Sequence, residues 1–316
     1  MAQHAQFIEK AKAMGASIQD VSHLLQQNAA VLNYQSISEL IIDGVPASWV
    51  NARSQIYCDN KQLTKLAYDY LQLPYLQSIT FQTPKDSSLQ SFLREDQVYV
   101  CKPLDIAQGI GVVMGIKNFE EVIAYYHEYK HLNRLFMLEE QDDGKDLRLQ
   151  VIGGKIVAAC IREPAFVLGN GMDSLQSLIG QRRAVMHTQN PKNVLEIDEA
   201  TKSLLEEQNL SLLDIPKKVQ KVQLKRVSNM AQGGVATDVT DEIHPLYQDW
   251  VTALVEYLKT PYFALDLLTQ DHRANPHEAS KILEINAFAD WLHHTFSERR
   301  THDIGGMILE ELGVTF

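Results

Sequence analysis

Residues 147–161 read LRLQVIGGKIVAACI, two runs of strand-forming residues joined by Gly153-Gly154. Glycine takes the positive φ that a tight turn demands, so a glycine pair between two such runs reads as a β-hairpin. Outward from it, 136–139 is another short strand run, and Asp143-Gly144 marks a turn. On the far side, 262–268 and 281–285 read as two buried strands. Leu246, Trp250, Val251, Leu254, Val255 and Leu258 lie just before the first of these at helical spacing and form an amphipathic helix. A last amphipathic helix covers 304–312.

Toward the N-terminus, 98–102 (VYVCK) alternates like a strand, 105–111 is a glycine-bearing turn, and 112–116 is the returning strand. Phe119, Val122, Ile123, Tyr126 and Leu135 are expected on one helical face. A helix over 60–73 is ended by Pro74, and Pro84 with Ser87-Ser88 marks a loop. The opening section reads as a helix over 5–14 stopped by Gly15, then strands at 18–21 and 38–42 with an Asp43-Gly44 hairpin turn. Residues 169–219 are polar and less regular, with helix-like pieces at 175–183 and 199–208. Strands and helices mix without a regular βαβ beat, which predicts an α+β chain of several lobes.

Composition bounds the function. The 316 residues are 45% hydrophobic and 22% charged, with a formal net charge of -11. Such an acidic chain has no basic footprint for nucleic acid, so a polyanionic ligand must be met by local lysines, arginines and backbone N–H groups. The three cysteines, Cys58, Cys101 and Cys160, have no metal-ligand spacing and fit reduced thiols. No targeting segment is evident, and no stretch approaches the ~18 consecutive apolar residues of a membrane span. A cytoplasmic protein with neither nucleic-acid nor membrane partners is expected; a homo-oligomer stays open.

Four constellations could carry chemistry. Lys102-Pro103 ends a strand and precedes Gln108-Gly109-Ile110-Gly111. A fixed cation beside close-approaching backbone N–H groups suits phosphates, although a plain hairpin with a surface lysine has the same pattern. Glu139-Glu140, followed by Gly144-Lys145-Asp146-Leu147-Arg148, could offer acceptors to an adenine amino group and to ribose hydroxyls, or be a solvated acidic turn.

Asp266 lies in one apolar strand, and Glu284 and Asn286 share a face of another. Three hard oxygen ligands on rigid strands suit Mg²⁺; the alternative is a buried salt bridge. Arg226, Asn229, Gly233 and Gly234, with Arg162 as a clamp, could bind a carboxylate or a phosphoryl group, or form a loop that caps a helix.

Taken in order, these residues resemble one superfamily. The matching stretches are Asp59-Asn60-Lys61 with Thr64-Lys65, Lys102-Pro103, Gly109-x-Gly111 and Glu139…Gly144-x-Asp146-x-Arg148. They continue with Gly153-Gly154-Lys155, Arg162-x-Pro164-Ala165-x-Val167-x-Gly169-x-Gly171 and Asp214-Ile-Pro216. Asn229…Gly233-Gly234…Asp238-Val-Thr240-Asp241…His244-Pro245, Asp266 and Glu284-x-Asn286…His294 close the run. The chain resembles the ATP-grasp ligases, in the branch of cyanophycin synthetase and the ligase domain of bifunctional glutathione synthase. The likeness extends from about Asp59 to near the C-terminus.

This resemblance implies an ATP-grasp fold with two α+β lobes clamping ATP, a short N-terminal region over 1–58 and an ATP-grasp domain over 59–316. The first lobe would cover 59–137 and the second 138–316. It implies an ATP-dependent carboxylate–amine ligase working through an acyl-phosphate, on amino-acid or peptide substrates. A nucleotide-binding protein that has lost ligation, glutathione-synthetase activity, and kinase-like transfer to a small acid are the alternatives. Lys61 and Lys102 would hold phosphates under the loop of Gly109 and Gly111. Glu139 would meet adenine, with Glu140 beside it, and Asp146 the ribose. Asp266, Glu284 and Asn286 would bind two Mg²⁺, for which Mn²⁺ could substitute. Arg162, Arg226, Asn229 and Gly234 would hold the phosphoryl group and the acceptor, with Arg148, Gly233 and His294 on the substrate side. The chain departs from the family pattern in an apolar glycine loop (Ile106, Ala107, Ile110) and in Ala289-Asp290 where Pro-Gly is usual.

Overall fold

The computed structural model describes residues 2–85, 87–104, 111–189, 194–228 and 230–315. Gly109 and Asn229, both assigned roles above, lie outside the described residues, as do the loop residues Ile106, Ala107 and Ile110.

In chain order the strands are β1 (Ser17–Asp20), β2 (Ala29–Tyr34), β3 (Ile37–Ile42), β4 (Val45–Pro46), β5 (Ser78–Phe81), β6 (Tyr99–Pro103), β7 (Val113–Ile116) and β8 (Phe136–Glu140). They continue as β9 (Lys145–Ile152), β10 (Lys155–Glu163), β11 (Phe166–Leu168), β12 (Lys221–Gln223), β13 (Val235–Asp238), β14 (Phe263–Thr269) and β15 (Ser280–Asn286). Among the described residues they form four sheets: β1-β2-β3-β4, β5-β8-β6-β7, β13-β10-β9-β14-β15 and the pair β11-β12. Every pairing between these strands is antiparallel, and two isolated bridges, Tyr75 with Ile282 and Thr237 with Glu298, are parallel. Alternating sheets and helices without parallel crossovers make this an α+β protein.

The five-stranded sheet is organised by its central hairpin. Gly153 and Gly154 carry φ of +59° and +75°, and Lys155 pairs with Ile152, so the turn is the two-residue loop that matches strand twist. Side-chain alternation then separates two chemistries. Leu147, Leu149, Val151, Ala159, Ile161, Phe263, Leu265 and Leu267 point to one face. There they pack on Tyr68 and on Trp250, Val251, Leu254 and Leu258 of the helix Tyr247–Leu258. Each fully buried large side chain contributes about 1.5–3 kcal/mol. Asp146, Arg148, Arg162 and Asp266 fall on the other face. β15 stays in phase through a bulge: Asp266 pairs with Glu284 while Leu267 pairs with Ile282, so Leu283 is looped over. Ile282 and Ile285 therefore both reach the core, and Glu284 and Asn286 both face the polar side.

The four-stranded sheet β5-β8-β6-β7 is smaller. Tyr99, Cys101, Phe136 and Leu138 pack on Leu89, Val122 and Tyr125 from the helices Ser87–Phe92 and Phe119–Tyr129. Lys102, on an inner strand, and Glu139 project from the opposite face as diagonal neighbours, since Lys102 pairs with Met137 and Val100 with Glu139. The helix Lys61–Leu71 links the two sheets. Asn60 caps it, accepting from Gln62 and Leu63 N–H. The chain then runs along β15, with Ile282 N–H donating to the Pro74 carbonyl at 2.9 Å, before entering β5.

Residues 2–46 form the helix Ala2–Ala13, the single helical turn Ser22–Leu25 and a four-stranded meander. Phe7, Leu32 and Ile41 share a core with Tyr262, Trp291, Ile304 and Ile308. Two expectations fail. Ser87–Phe92 is a helix, not a loop, because Leu89 is buried in the core against the sheet β5-β8-β6-β7 and tertiary packing overrides local propensity. Leu135 is off the helical face, exposed just before β8, since the helix stops at Tyr129. The polar stretch 169–219 also has more order than its composition suggests. Helices Leu175–Gln189 and Glu199–Glu207 close over β11-β12 with a core of Val167, Leu175, Ile179, Leu205 and Val222.

Candidate active site between the two sheets

The polar face of the large sheet carries a chain of ion pairs. Arg148 and Asp266 are register partners on β9 and β14, and Nη1 of Arg148 lies 3.2 Å from Oδ2 of Asp266. Arg162 on β10 bridges two acids: its Nη2 is 2.7 Å from Asp146 Oδ1 and 3.3 Å from Asp266 Oδ1. Burial opposes the Arg162 charge, and Asp266 and Asp146 more than offset that, so its pKa is raised. Ser228 donates to the second oxygen of Asp146. Asp266 and Arg148 are almost fully buried.

Asn286 Nδ2 lies 3.1 Å from Asp266 Oδ2 and 3.5 Å from Glu284 Oε1. Two carboxylates and an amide thus share one small space, and an amide rotated by half a turn presents oxygen. Such a donor set fits a hard cation that completes its shell with phosphate and water. Among the described residues no cluster of three or more His, Cys, Asp or Glu side chains has metal-site geometry. Glu284 retains 34% of its side-chain exposure, so it is open to a ligand.

Lys61 joins this face to the small sheet. Its Nζ is 3.9 Å from Glu284 Oε2 and donates to the Leu104 carbonyl at 3.4 Å. One helical turn later, Lys65 points the same way and donates to Glu139 Oε1 at 2.6 Å. Lys102 takes the other oxygen of Glu139. Burial alone would raise the Glu139 carboxyl; Lys102 and Lys65 outweigh it and hold the pKa low. Glu140 is ion-paired to Arg94.

The structure therefore brings Lys61, Lys102, Glu139, Asp146, Arg148, Arg162, Asp266, Glu284 and Asn286 to the facing sides of two sheets. Gly111 lies in the turn just before β7, against the Pro103 ring. Arg226 stands apart, paired with exposed Glu207 at 2.6 Å. Gly233 packs on Ala165 and Leu195, and Gly234 lines a small cleft with Arg182, Met186 and Phe296. His294 is fully buried, and neither ring nitrogen has a hydrogen-bond partner. Burial, with Arg148 and Arg162 close by, holds it well below 6.5, which favours the neutral ring.

Sequence reasoning gave Lys65 no role, although Thr64-Lys65 stood among the matching stretches. The usable signal was its i, i+4 spacing from Lys61. At the position where Pro-Gly is usual, Ala289 is buried and the Asp290 carbonyl accepts from Arg148 at 3.2 Å. Burial pushes Cys58, Cys101 and Cys160 each up to about 12, which favours their thiol forms near neutral pH.

No family model matches the chain. The cyanophycin synthetase of Trichormus variabilis is 30% identical over 220 residues, 67% of this chain and 24% of that protein. The glutathione biosynthesis bifunctional protein GshAB of Pasteurella multocida is 26% identical over 298 residues, 89% of this chain and 39% of that protein. The chain thus spans well under half the length of these curated relatives. Among solved structures, a bifunctional glutathione synthetase from Pasteurella multocida has a TM-score of 0.73 at 22% identity, covering 98% of this chain and 44% of that one. ATP-grasp ligase PsnB complexed with minimal precursor has a TM-score of 0.50 at 14% identity, covering 84% and 64%. Among the described residues, no helix is long and apolar enough to cross a membrane.

Proposed function

This chain is a homologue of ATP-grasp ligases and has their fold, and on that premise we propose that it is itself an ATP-dependent carboxylate–amine ligase. The reaction joins an amino-acid or short-peptide carboxylate to an amine, with release of ADP and phosphate. The observation that carries the reading is Lys61, whose Nζ lies 3.9 Å from Glu284 beside Asp266 and Asn286 and donates to the Leu104 carbonyl just past β6, the strand that carries Lys102.

In this reading the lobes divide near residue 138. Lys61 and Lys102 hold the phosphates, Gly109 and Gly111 cover them, Glu139 and Glu140 lie at the adenine end, and Asp146 serves the ribose. Asp266, Glu284 and Asn286 would hold Mg²⁺, two ions per site, with Mn²⁺ able to replace them as another oxygen-seeking cation. Bound there, Mg²⁺ supplies charge neutralisation to the transferring phosphoryl group.

The side chains position and stabilise. Arg162, fixed between Asp146 and Asp266, holds its guanidinium in one place for the developing oxyanion. Arg148 orients Asp266 and fixes the backbone at Asp290. Asn229, Gly233 and Gly234 serve the acceptor, which Arg226 joins by leaving its exposed partner Glu207, with His294 buried nearby. No nucleophilic side chain is needed, in keeping with the raised thiols. A cytoplasmic location belongs to the same proposal and is supported by the three free cysteines.

ADP release with Mg-ATP, measured across amino acids and dipeptides singly and in pairs, tests this. Release that needs one carboxylate and one amine together is expected and names the substrates; glutathione synthesis would appear as one such pair. Tight ATP binding with no active pair would replace ligation by a binding role. Full release with the acid alone, leaving a stable phosphorylated product, would make it a kinase.

A further inference from the structure

The Glu139 carboxylate is divided between two lysines from different elements. Lys65, on the helix Lys61–Leu71, takes Oε1 at 2.6 Å, and Lys102, on β6, takes Oε2. The side chains of Lys65 and Glu139 are 3% and 2% exposed, while that of Lys102 is 10% exposed. Lys65 is further pinned by the Leu76 carbonyl and lies 5.5 Å from the centre of the Tyr75 ring. For Lys102, Glu139 supplies the anchoring carboxylate, and the lysine retains some access to solvent.

The charges do not cancel. Two ammonium groups and one carboxylate leave one positive charge in a dry space, where burial penalises it heavily. Burial lowers the Lys65 pKa, and Glu139 acts against that. Neighbouring Glu140 is already engaged by Arg94. A ligand anion can supply the missing counter-charge, and Lys102 is the member of the triad open enough to reach one.

We propose that Lys65 is a positioning residue of the nucleotide site, which occupies one oxygen of Glu139 so that Lys102 is oriented toward phosphate without being trapped by the carboxylate. The inference rests on the nucleotide-binding reading above. Without Lys65, Glu139 and Lys102 form a neutral pair, and phosphate must compete with the carboxylate for the Lys102 ammonium. Lys65 itself is too enclosed to touch a ligand.

Titration calorimetry with inorganic tripolyphosphate and with a non-hydrolysable ATP analogue, both with Mg²⁺, tests it. Tripolyphosphate isolates the phosphate contribution, since it has no adenine to meet Glu139. Lys65→Met is expected to weaken tripolyphosphate binding about tenfold. Adding Glu139→Gln to that variant is expected to return the affinity to within about threefold of wild type, because Lys102 is then released. Lys65→Arg should bind like wild type.

Unchanged affinity in Lys65→Met, or a loss that Glu139→Gln does not reverse, would overturn the proposal and leave Lys65 a structural cation. If thermal melts show Lys65→Met unfolded, Lys65→Gln, which keeps a donor but no charge, takes its place: weakened binding is expected and wild-type affinity would overturn the idea. Wild-type protein that binds neither ligand would instead sink the nucleotide-site reading on which the inference stands.

Discussion

Arg148 and Asp266 are register partners on adjacent inner strands, and their buried side chains meet at 3.2 Å with Arg162 touching the same carboxylate at 3.3 Å. Each guanidinium depends on an acid that water cannot replace. Asp266→Asn keeps the shape and removes the charge. It should cost about 3 kcal/mol in urea unfolding, because it leaves a buried arginine uncompensated. A loss below about 1 kcal/mol would show that the arginines find another partner.

Glu284 differs from Asp266 in being a third exposed and in lying 3.9 Å from Lys61 without a close bond. Glu284→Gln should therefore leave stability within about 0.5 kcal/mol of wild type. Its effect should fall on turnover, lowering ADP release at least about 100-fold and raising the Mg²⁺ requirement. Full activity at ordinary Mg²⁺ would remove Glu284 from the cation set.

His293 and His294 are both held well below 6.5, chiefly by burial and then by the Arg148 charge. The unfolded chain takes up protons near pH 6.5 and the folded chain does not. Stability is thus complete above about pH 6.5 and falls as pH drops through that value toward the folded pKa, by up to about 1.4 kcal/mol per unit for each histidine. Urea midpoints between pH 5 and 8 read this slope. His294→Gln should flatten it; an unchanged slope would mean that His294 stays neutral in neither state or protonates equally in both.

Gly233 has φ +95°, and an added Cβ would lie 3.1 Å from both Ala165 Cβ and Leu195 Cδ1. Gly233→Ala should cost about 2 kcal/mol through backbone strain. Gly180 lies in the helix Leu175–Gln189 with nothing within 4 Å of an added Cβ. Gly180→Ala should stabilise by about 0.5–1 kcal/mol. Thermal melts of the two variants should shift in opposite directions, and a shared direction would refute the strain at Gly233.

Much of this architecture is written locally. The hairpin at Gly153-Gly154, the turn at Asp43-Gly44, the helix after Asn60 and the period-2 strands around Asp266 and Glu284 all follow from short-range sterics and side-chain alternation, so they could be read from the chain alone. The same alternation foretold that Glu284 and Asn286 share a face. What could not be read is which strands become neighbours. The order β13-β10-β9-β14-β15 sets Asp266 beside Arg148, 118 residues away, and beside Arg162 of the same hairpin, and burial of the shared apolar face against Tyr68 and the helix Tyr247–Leu258 stabilises it. The Leu283 bulge, the short helix at Ser87 and the Lys65–Glu139–Lys102 triad belong to the same class. Local chemistry determined the elements and the faces they offer; long-range burial decided which charges meet, because a buried charge is tolerated only where the fold supplies its partner.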